Sequence, residues 1–153
     1  MVEGLKAFVI TFVYGLIPVL IGVVVILGGV LGIFLGEEAR IFGAIGLFFG
    51  FFIWLILSLL VAYVVPAALA NFVDHGRIGA GFDFGTLQPI VTGQDYAIGW
   101  LTAAVVVVIG WIVAGVVGVV PVLGWIAGPF IIFYFQVSAF YVIGRTWADV
   151  RPK

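Results

Sequence analysis

Three long stretches of this sequence contain no charged residue, and they constrain the fold more than any other feature. The first, between Lys6 and Glu37, has 30 residues, the second, between Arg40 and Asp74, has 33, and the third, from Tyr96 to Gly144, has 49. Hydrophobic residues make up 65% of the 153 residues and charged residues only 8%, whereas a soluble domain carries about 25% charged residues. A chain of this kind needs lipid as its solvent.

The uncharged stretches predict helices rather than strands. Backbone groups in hydrocarbon must bond within the protein, so only helices and closed barrels span a membrane. Barrel strands alternate apolar and polar residues, and the runs Leu55–Val65 and Ala103–Ile109 do not alternate. As one helix the third stretch would measure about 73 Å, more than twice the ~30 Å hydrocarbon core, so it must fold back between Pro121 and Pro129.

These observations predict an all-α fold, an integral membrane four-helix bundle in a single transmembrane domain, residues 1–153. The predicted spans are residues 10–35, 41–66, 97–120 and 129–147. Pro18 and Pro66 are expected to kink the first two helices, because proline lacks the backbone N–H that an inner helical position needs.

Residues 74–95 form the longest polar-containing stretch and are predicted to be an interfacial segment between spans 2 and 3. Asp83 is a suitable N-cap for a short amphipathic helix with Phe84, Leu87 and Val91 on one face. Pro89 weakens this helix, and an irregular loop is the alternative.

The cationic residues predict the orientation. With four spans, one side holds Lys6, Arg77, Arg145, Arg151 and Lys153, and the other side holds only Arg40. Because cytoplasmic segments are enriched in Lys and Arg, we expect both termini to be cytoplasmic, in a multi-pass protein of the cell (cytoplasmic) membrane.

Small residues recur at the four-residue spacing of the G-x-x-x-G motif, which brings helix backbones together in lipid. This glycine zipper pattern predicts helix packing by Gly28, Gly32, Gly36, Gly46, Gly50, Ala114 and Gly118. The motif fits packing within the bundle as well as an interface between protomers, and the spacing does not distinguish the two.

Polar chemistry is sparse at membrane depth. The predicted spans contain no Asp, Glu, Lys, Arg or His except at their ends, and such residues usually mark proton relays and ion paths. Gln136 is the most polar residue near the middle of a span; an interhelical hydrogen bond is the first interpretation and a solute site the second. The chain has no cysteine and one histidine, His75, in a loop, so no catalytic residue, metal site or cofactor is predicted.

Several blocks together resemble a family of uncharacterised polytopic membrane proteins, known only as a domain of unknown function and abundant in halophilic archaea. The blocks are Glu3-Gly-Leu-Lys6, Tyr14-Gly-Leu-Ile-Pro18, Pro66-Ala-Ala-Leu-Ala-Asn-Phe72, Gly79-Ala-Gly-Phe-Asp-Phe84, Gln94-Asp-Tyr96, Val120-Pro-Val-Leu-Gly124 and Pro129-Phe130. The resemblance implies an archaeal membrane protein and supplies no catalytic residues.

The leading functional prediction is a non-enzymatic accessory or scaffolding subunit of a membrane assembly. Its partners would be membrane lipids and other membrane chains, in a homo- or hetero-oligomer. The net charge of −1 gives no sign of nucleic-acid binding. The alternative is an uncoupled channel or carrier for a small neutral solute, and membrane shaping or lipid binding is a third interpretation.

Overall fold

The computed structural model describes residues 2–151, and every regular element in that range is helical. The elements are α1 (Val2–Phe34), α2 (Glu37–His75), a 3₁₀ helix (Ile78–Phe82), α3 (Phe84–Val91), α4 (Gln94–Gly118) and α5 (Pro121–Val150). Four of these helices, α1, α2, α4 and α5, are long and apolar enough to cross a membrane. The predicted all-α class with four membrane-spanning helices is confirmed.

The first two helices extend beyond the predicted spans. α1 already begins at Val2, and α2 continues nine residues past Pro66 to His75. Pro18 and Pro66 both lie inside continuous helix, where each removes one backbone donor from the ladder. Glycine ends these helices instead: Gly36 (φ 116°) and Gly76 (φ 65°) adopt the left-handed backbone that side chains disfavour.

The link between α4 and α5 is shorter than predicted. Only Val119 and Val120 separate the helices, whereas the sequence suggested a turn reaching as far as Pro129. Pro121 lies in the first turn of α5. Backbone N–H groups in the first turn have no acceptor within the helix, and the fixed φ of proline is close to the helical value, so proline is favourable there. Pro129 lies inside α5, so this proline does not end a helix either.

The predicted short helix after Asp83 is present as α3. The Asp83 carboxylate accepts bonds from the Thr86 amide (3.3 Å) and the Thr86 hydroxyl (2.9 Å), which confirms Asp83 as the N-cap. The buried side of α3 agrees with the prediction only in part: Leu87 is buried as predicted, but Ile90 is buried as well and Phe84 is exposed. The buried face is therefore rotated around the helix axis relative to the predicted face of residues 84, 87 and 91.

The Asp83 cap should depend on pH. The Thr86 hydroxyl and amide stabilise the ionised carboxylate and hold the pKa of Asp83 below its usual value. The cap therefore stabilises α3 fully above the ordinary aspartate pKa and is lost as pH falls through the lowered pKa. We expect the Thr86 amide resonance to titrate in that acidic range; Asp83→Asn should keep the cap without titrating, and an identical titration in the Asn variant would contradict this assignment.

Residues Met1–Val65 and Pro66–Lys153 form two compact units. In the first unit, α1 and the beginning of α2 form an antiparallel hairpin. In the second, α4 packs along α5, and α3 contacts α4. The core of the second unit contains Ala103, Ala139 and Ile143, flanked by Trp100, Val106, Val107 and Val142.

Candidate functional site

The closest helix contact in the first unit is a glycine seam between α1 and α2. A Cβ on Gly32 would lie 2.8 Å from the Gly43 Cα and 3.1 Å from the Ala39 carbonyl oxygen, so the two backbones touch. Further along, the Trp54 ring packs against Gly22, where a Cβ would meet it at 3.0 Å. A Cβ on Gly29 would likewise overlap the Leu47 side chain, and a Cβ on Gly50 would overlap Val25.

Three glycines of the seam meet a larger side chain on the other helix, Gly32 meets Gly43, and the seam has a period close to 3.5 residues. Gly22 and Gly29 are seven residues apart on α1, and Gly43 and Gly50 are seven apart on α2. A seven-residue repeat keeps one stripe of a helix facing its partner, as in a coiled coil. A four-residue repeat instead drifts around the helix surface, which explains why the predicted set covers the seam only in part.

The structure brings two of the predicted glycines, Gly32 and Gly50, into this seam. Gly28 and Gly46 have no atom within 4 Å of the position of a Cβ, and Gly36 lies in the link after α1. Any packing role of Gly28 and Gly46 would therefore involve helices outside the α1–α2 hairpin, and both interpretations of the motif remain open.

In the second unit, glycines also admit side chains between α4 and α5. Gly99 faces Thr146, and Gly110 faces Phe135, so a Cβ at either glycine would overlap the opposing side chain. Of the predicted packing residues on α4, Ala114 is partly buried and Gly118 is exposed. A Cβ on Gly124 would lie 2.6 Å from the Gly118 Cα, so Gly118 supports the tight turn into α5.

A polar cluster joins the ends of α2 and α5. The Trp147 indole donates from Nε1 to Asp74 Oδ2 at 2.6 Å, and the Arg151 guanidinium donates to Asp74 Oδ1 at 2.9 Å. Trp147 is buried, whereas Arg151 is about half exposed. Because 73 residues separate Asp74 from Trp147, these bonds are direct evidence that the two helix ends lie together.

Asn71, one helical turn before His75, links α2 to the 3₁₀ helix by a hydrogen bond. Its Nδ2 donates to the Ala80 carbonyl at 2.8 Å, and the backbone carbonyl oxygen of Asn71 lies 3.0 Å from His75 Nδ1. The side chain is buried, and Asn71 Oδ1 has no hydrogen-bond partner. The position of Ala80 fixes the amide orientation, since a flipped amide would set two oxygens against each other.

An apolar groove of about 290 Å³ runs beside this cluster, between residues 66–74 of α2 and residues 140–147 of α5. Asp74 and Trp147 lie at its polar end. The only carboxylate in the groove already accepts two hydrogen bonds, so the groove has the chemistry of a packing surface rather than that of an acid–base site.

Gln136 lies on the rim of a much smaller recess, about 70 Å³, between α4 and α5. Its neighbours there include Gly110, Trp111 and Phe135. The Gln136 side chain is exposed, and within residues 2–151 it makes no hydrogen bond. The predicted interhelical bond is therefore not made inside the described part of the chain.

Several hydroxyls of the four long helices are bonded to their own helix. Four hydroxyls donate to the carbonyl four residues earlier, at 2.8–3.0 Å: Thr11, Thr102, Ser138 and Thr146. Among residues 2–151, no group of three or more His, Cys, Asp or Glu side chains is placed to hold a metal ion.

A model of one protein family, DUF4013, described as a protein of unknown function, matches residues 1–119. The chain belongs to this DUF4013 family. The match confirms the resemblance to an uncharacterised family, while the association with halophilic archaea stays a prediction. No curated protein and no solved structure matches the chain.

The DUF4013 match includes the glycine seam, Asp74 and all of α4, and it ends before α5. The seam glycines Gly22, Gly29 and Gly43 were not predicted, although seven residues separate Gly22 from Gly29 and Gly43 from Gly50 in the sequence. It also missed the partnership of Asp74 with Trp147, for which the sequence carries no signal.

Proposed function

We propose that this DUF4013 protein is a non-enzymatic accessory or scaffolding subunit of a membrane assembly. The observation that carries the proposal is that the hydroxyls of Thr11, Thr102, Ser138 and Thr146 bond to carbonyls of their own helices. A solute path through lipid needs polar groups that face the solute, because unpaired groups in hydrocarbon cost several kcal/mol. Hydroxyls bonded to the i−4 carbonyl in this way are already satisfied.

The exposed surface supports the same proposal. In the most apolar 18-residue window of α2, only 6% of the residues are buried within the chain, and the other three spans reach 17%. Each of the two units thus uses little of its helical surface for its own internal packing. Lipid or neighbouring helices can cover the rest, as expected of a subunit that packs among other membrane chains.

The runner-up is an uncoupled carrier or channel for a small neutral solute, and the recess beside Gln136 is the observation in its favour. About 70 Å³ accommodates only a few water molecules. A solute site of this size would need to enlarge during transport, which makes it the weaker proposal.

Native purification separates these two functions. The protein is extracted in a mild detergent, its co-purifying chains are identified, and the purified protein is tested in vesicles for entry of urea and glycerol. A scaffold should elute with other membrane chains, or as an oligomer, and leave vesicle permeability unchanged. A monomer that speeds solute entry would overturn the proposal and support the carrier.

We further propose that both termini are cytoplasmic and that the protein lies in the cell membrane. The bonds from Asp74 to Trp147 and Arg151 support part of this topology, since they join the ends of α2 and α5 on one side. A reporter fused after Lys153 should then read cytoplasmic, and a reporter inserted at Glu37 should read external. Equal signals from the two positions would contradict a four-span topology.

A further inference from the structure

Gln136 carries the only carboxamide side chain of α5, and its own helix gives that amide no hydrogen bond. It lies at the middle of the 30-residue helix Pro121–Val150, so about 22 Å of helix extends on either side. With a hydrocarbon core of ~30 Å, the amide is held near the bilayer midplane. It is exposed there and has no hydrogen bond within residues 2–151.

An unbonded amide in hydrocarbon is unfavourable, because lipid tails cannot hydrogen-bond to it and water is absent from the hydrocarbon core. Neighbouring hydroxyls offer no relief: the nearby Ser138 already donates to the Tyr134 carbonyl at 2.9 Å. A polar group at the same depth on a neighbouring chain would supply the missing hydrogen-bond partner.

We infer that Gln136 pairs with Gln136 of a second copy of this chain, across a two-fold axis along the membrane normal. Copies inserted in the same orientation hold every residue at the same depth, so a residue close to the axis meets itself. A glutamine amide has both a donor and an acceptor and can make two reciprocal hydrogen bonds with an identical amide. The inference rests on the proposed scaffolding function and specifies its first partner.

The surface beside Gln136 suits a helix of the same kind. Phe133, Val137 and Phe140 are 69%, 52% and 51% exposed, and Gly144 is exposed one turn further on. Their spacings of four, three and four residues form a single stripe along α5, the pattern of a helix–helix seam. Gln136 lies at the edge of this stripe, where pairs of polar residues fix the register of two helices.

The absence of cysteine from the sequence allows a direct test by crosslinking. Val137→Cys places a thiol on the stripe, and Val108→Cys is a matched control, 56% exposed and near the middle of α4. In native membranes treated with an oxidant, Val137→Cys should give a disulfide-linked dimer and Val108→Cys should not. Equal crosslinking of the two variants would overturn the inference.

Gln136→Leu tests the amide itself. Measured by energy transfer between labelled copies in vesicles at increasing lipid dilution, the dimer should dissociate about 3- to 30-fold more readily. Undiminished association would overturn the inference. If Val137→Cys fails to crosslink while other membrane chains still co-purify, the homodimer is wrong and the scaffolding proposal stands; if the protein is a solute-conducting monomer, both are wrong.

Discussion

Gly32→Leu is expected to destabilise the α1–α2 hairpin strongly, whereas Gly28→Leu, one turn earlier on the same helix, should be tolerated. The first substitution drives a side chain into the Gly43 backbone, which a Cβ alone would approach to 2.8 Å. Overpacking costs about 1–3 kcal/mol when side chains can move aside; here the obstacle is backbone, so we expect at least the upper part of that range. Thermal unfolding in detergent measures the loss.

The matched control is informative because both residues belong to the same G-x-x-x-G unit. No atom lies within 4 Å of a Cβ on Gly28, and leucine has a better helix propensity than glycine by up to ~1 kcal/mol. Gly28→Leu should therefore unfold at the same temperature as the wild type or slightly above it. Equal destabilisation by the two substitutions would show that the seam does not run through Gly32.

Asp74→Ala is expected to release the end of α5 from the end of α2. The substitution removes both bonds of the cluster and leaves the buried Trp147 indole N–H without its acceptor. A hydrogen bond to a charged group contributes about 1.5–3 kcal/mol, while the part-exposed pair with Arg151 adds at most ~1 kcal/mol. We expect a loss of about 2–3 kcal/mol in the free energy of unfolding, measured by denaturant titration in detergent.

Two further variants identify the source of that loss. Trp147→Phe keeps an aromatic ring in place but removes the N–H donor, so it should reproduce much of the effect, although the smaller ring also loses some packing. Asp149→Ala removes an exposed carboxylate near the same end of α5 and should change the stability by less than ~0.5 kcal/mol. If Asp74→Ala behaves like Asp149→Ala, the cluster does not hold the two helices together.

The helical class and the four spans followed from the sequence because lipid leaves so few alternatives. Uncharged runs of 30, 33 and 49 residues exceed any membrane strand, and the third is too long for one crossing. The N-cap at Asp83 was equally predictable, since it depends only on residues within three positions. The helix ends expected near Pro66 and Pro129 were predicted wrongly, because both prolines lie inside continuous helices. Local rules place a proline at a helix end, but tertiary packing can stabilise a helix that continues through it.

The packing faces needed the tertiary structure. A glycine spacing shows that a helix has a small face, but which stripe is buried depends on the partner, and here Leu47 and Trp54 select Gly29 and Gly22 over Gly28. The bond between Asp74 and Trp147 spans 73 residues, so no local pattern could reveal it. Lipid and local geometry therefore determined the number and type of elements, whereas the side chains that meet were decided only when the helices packed.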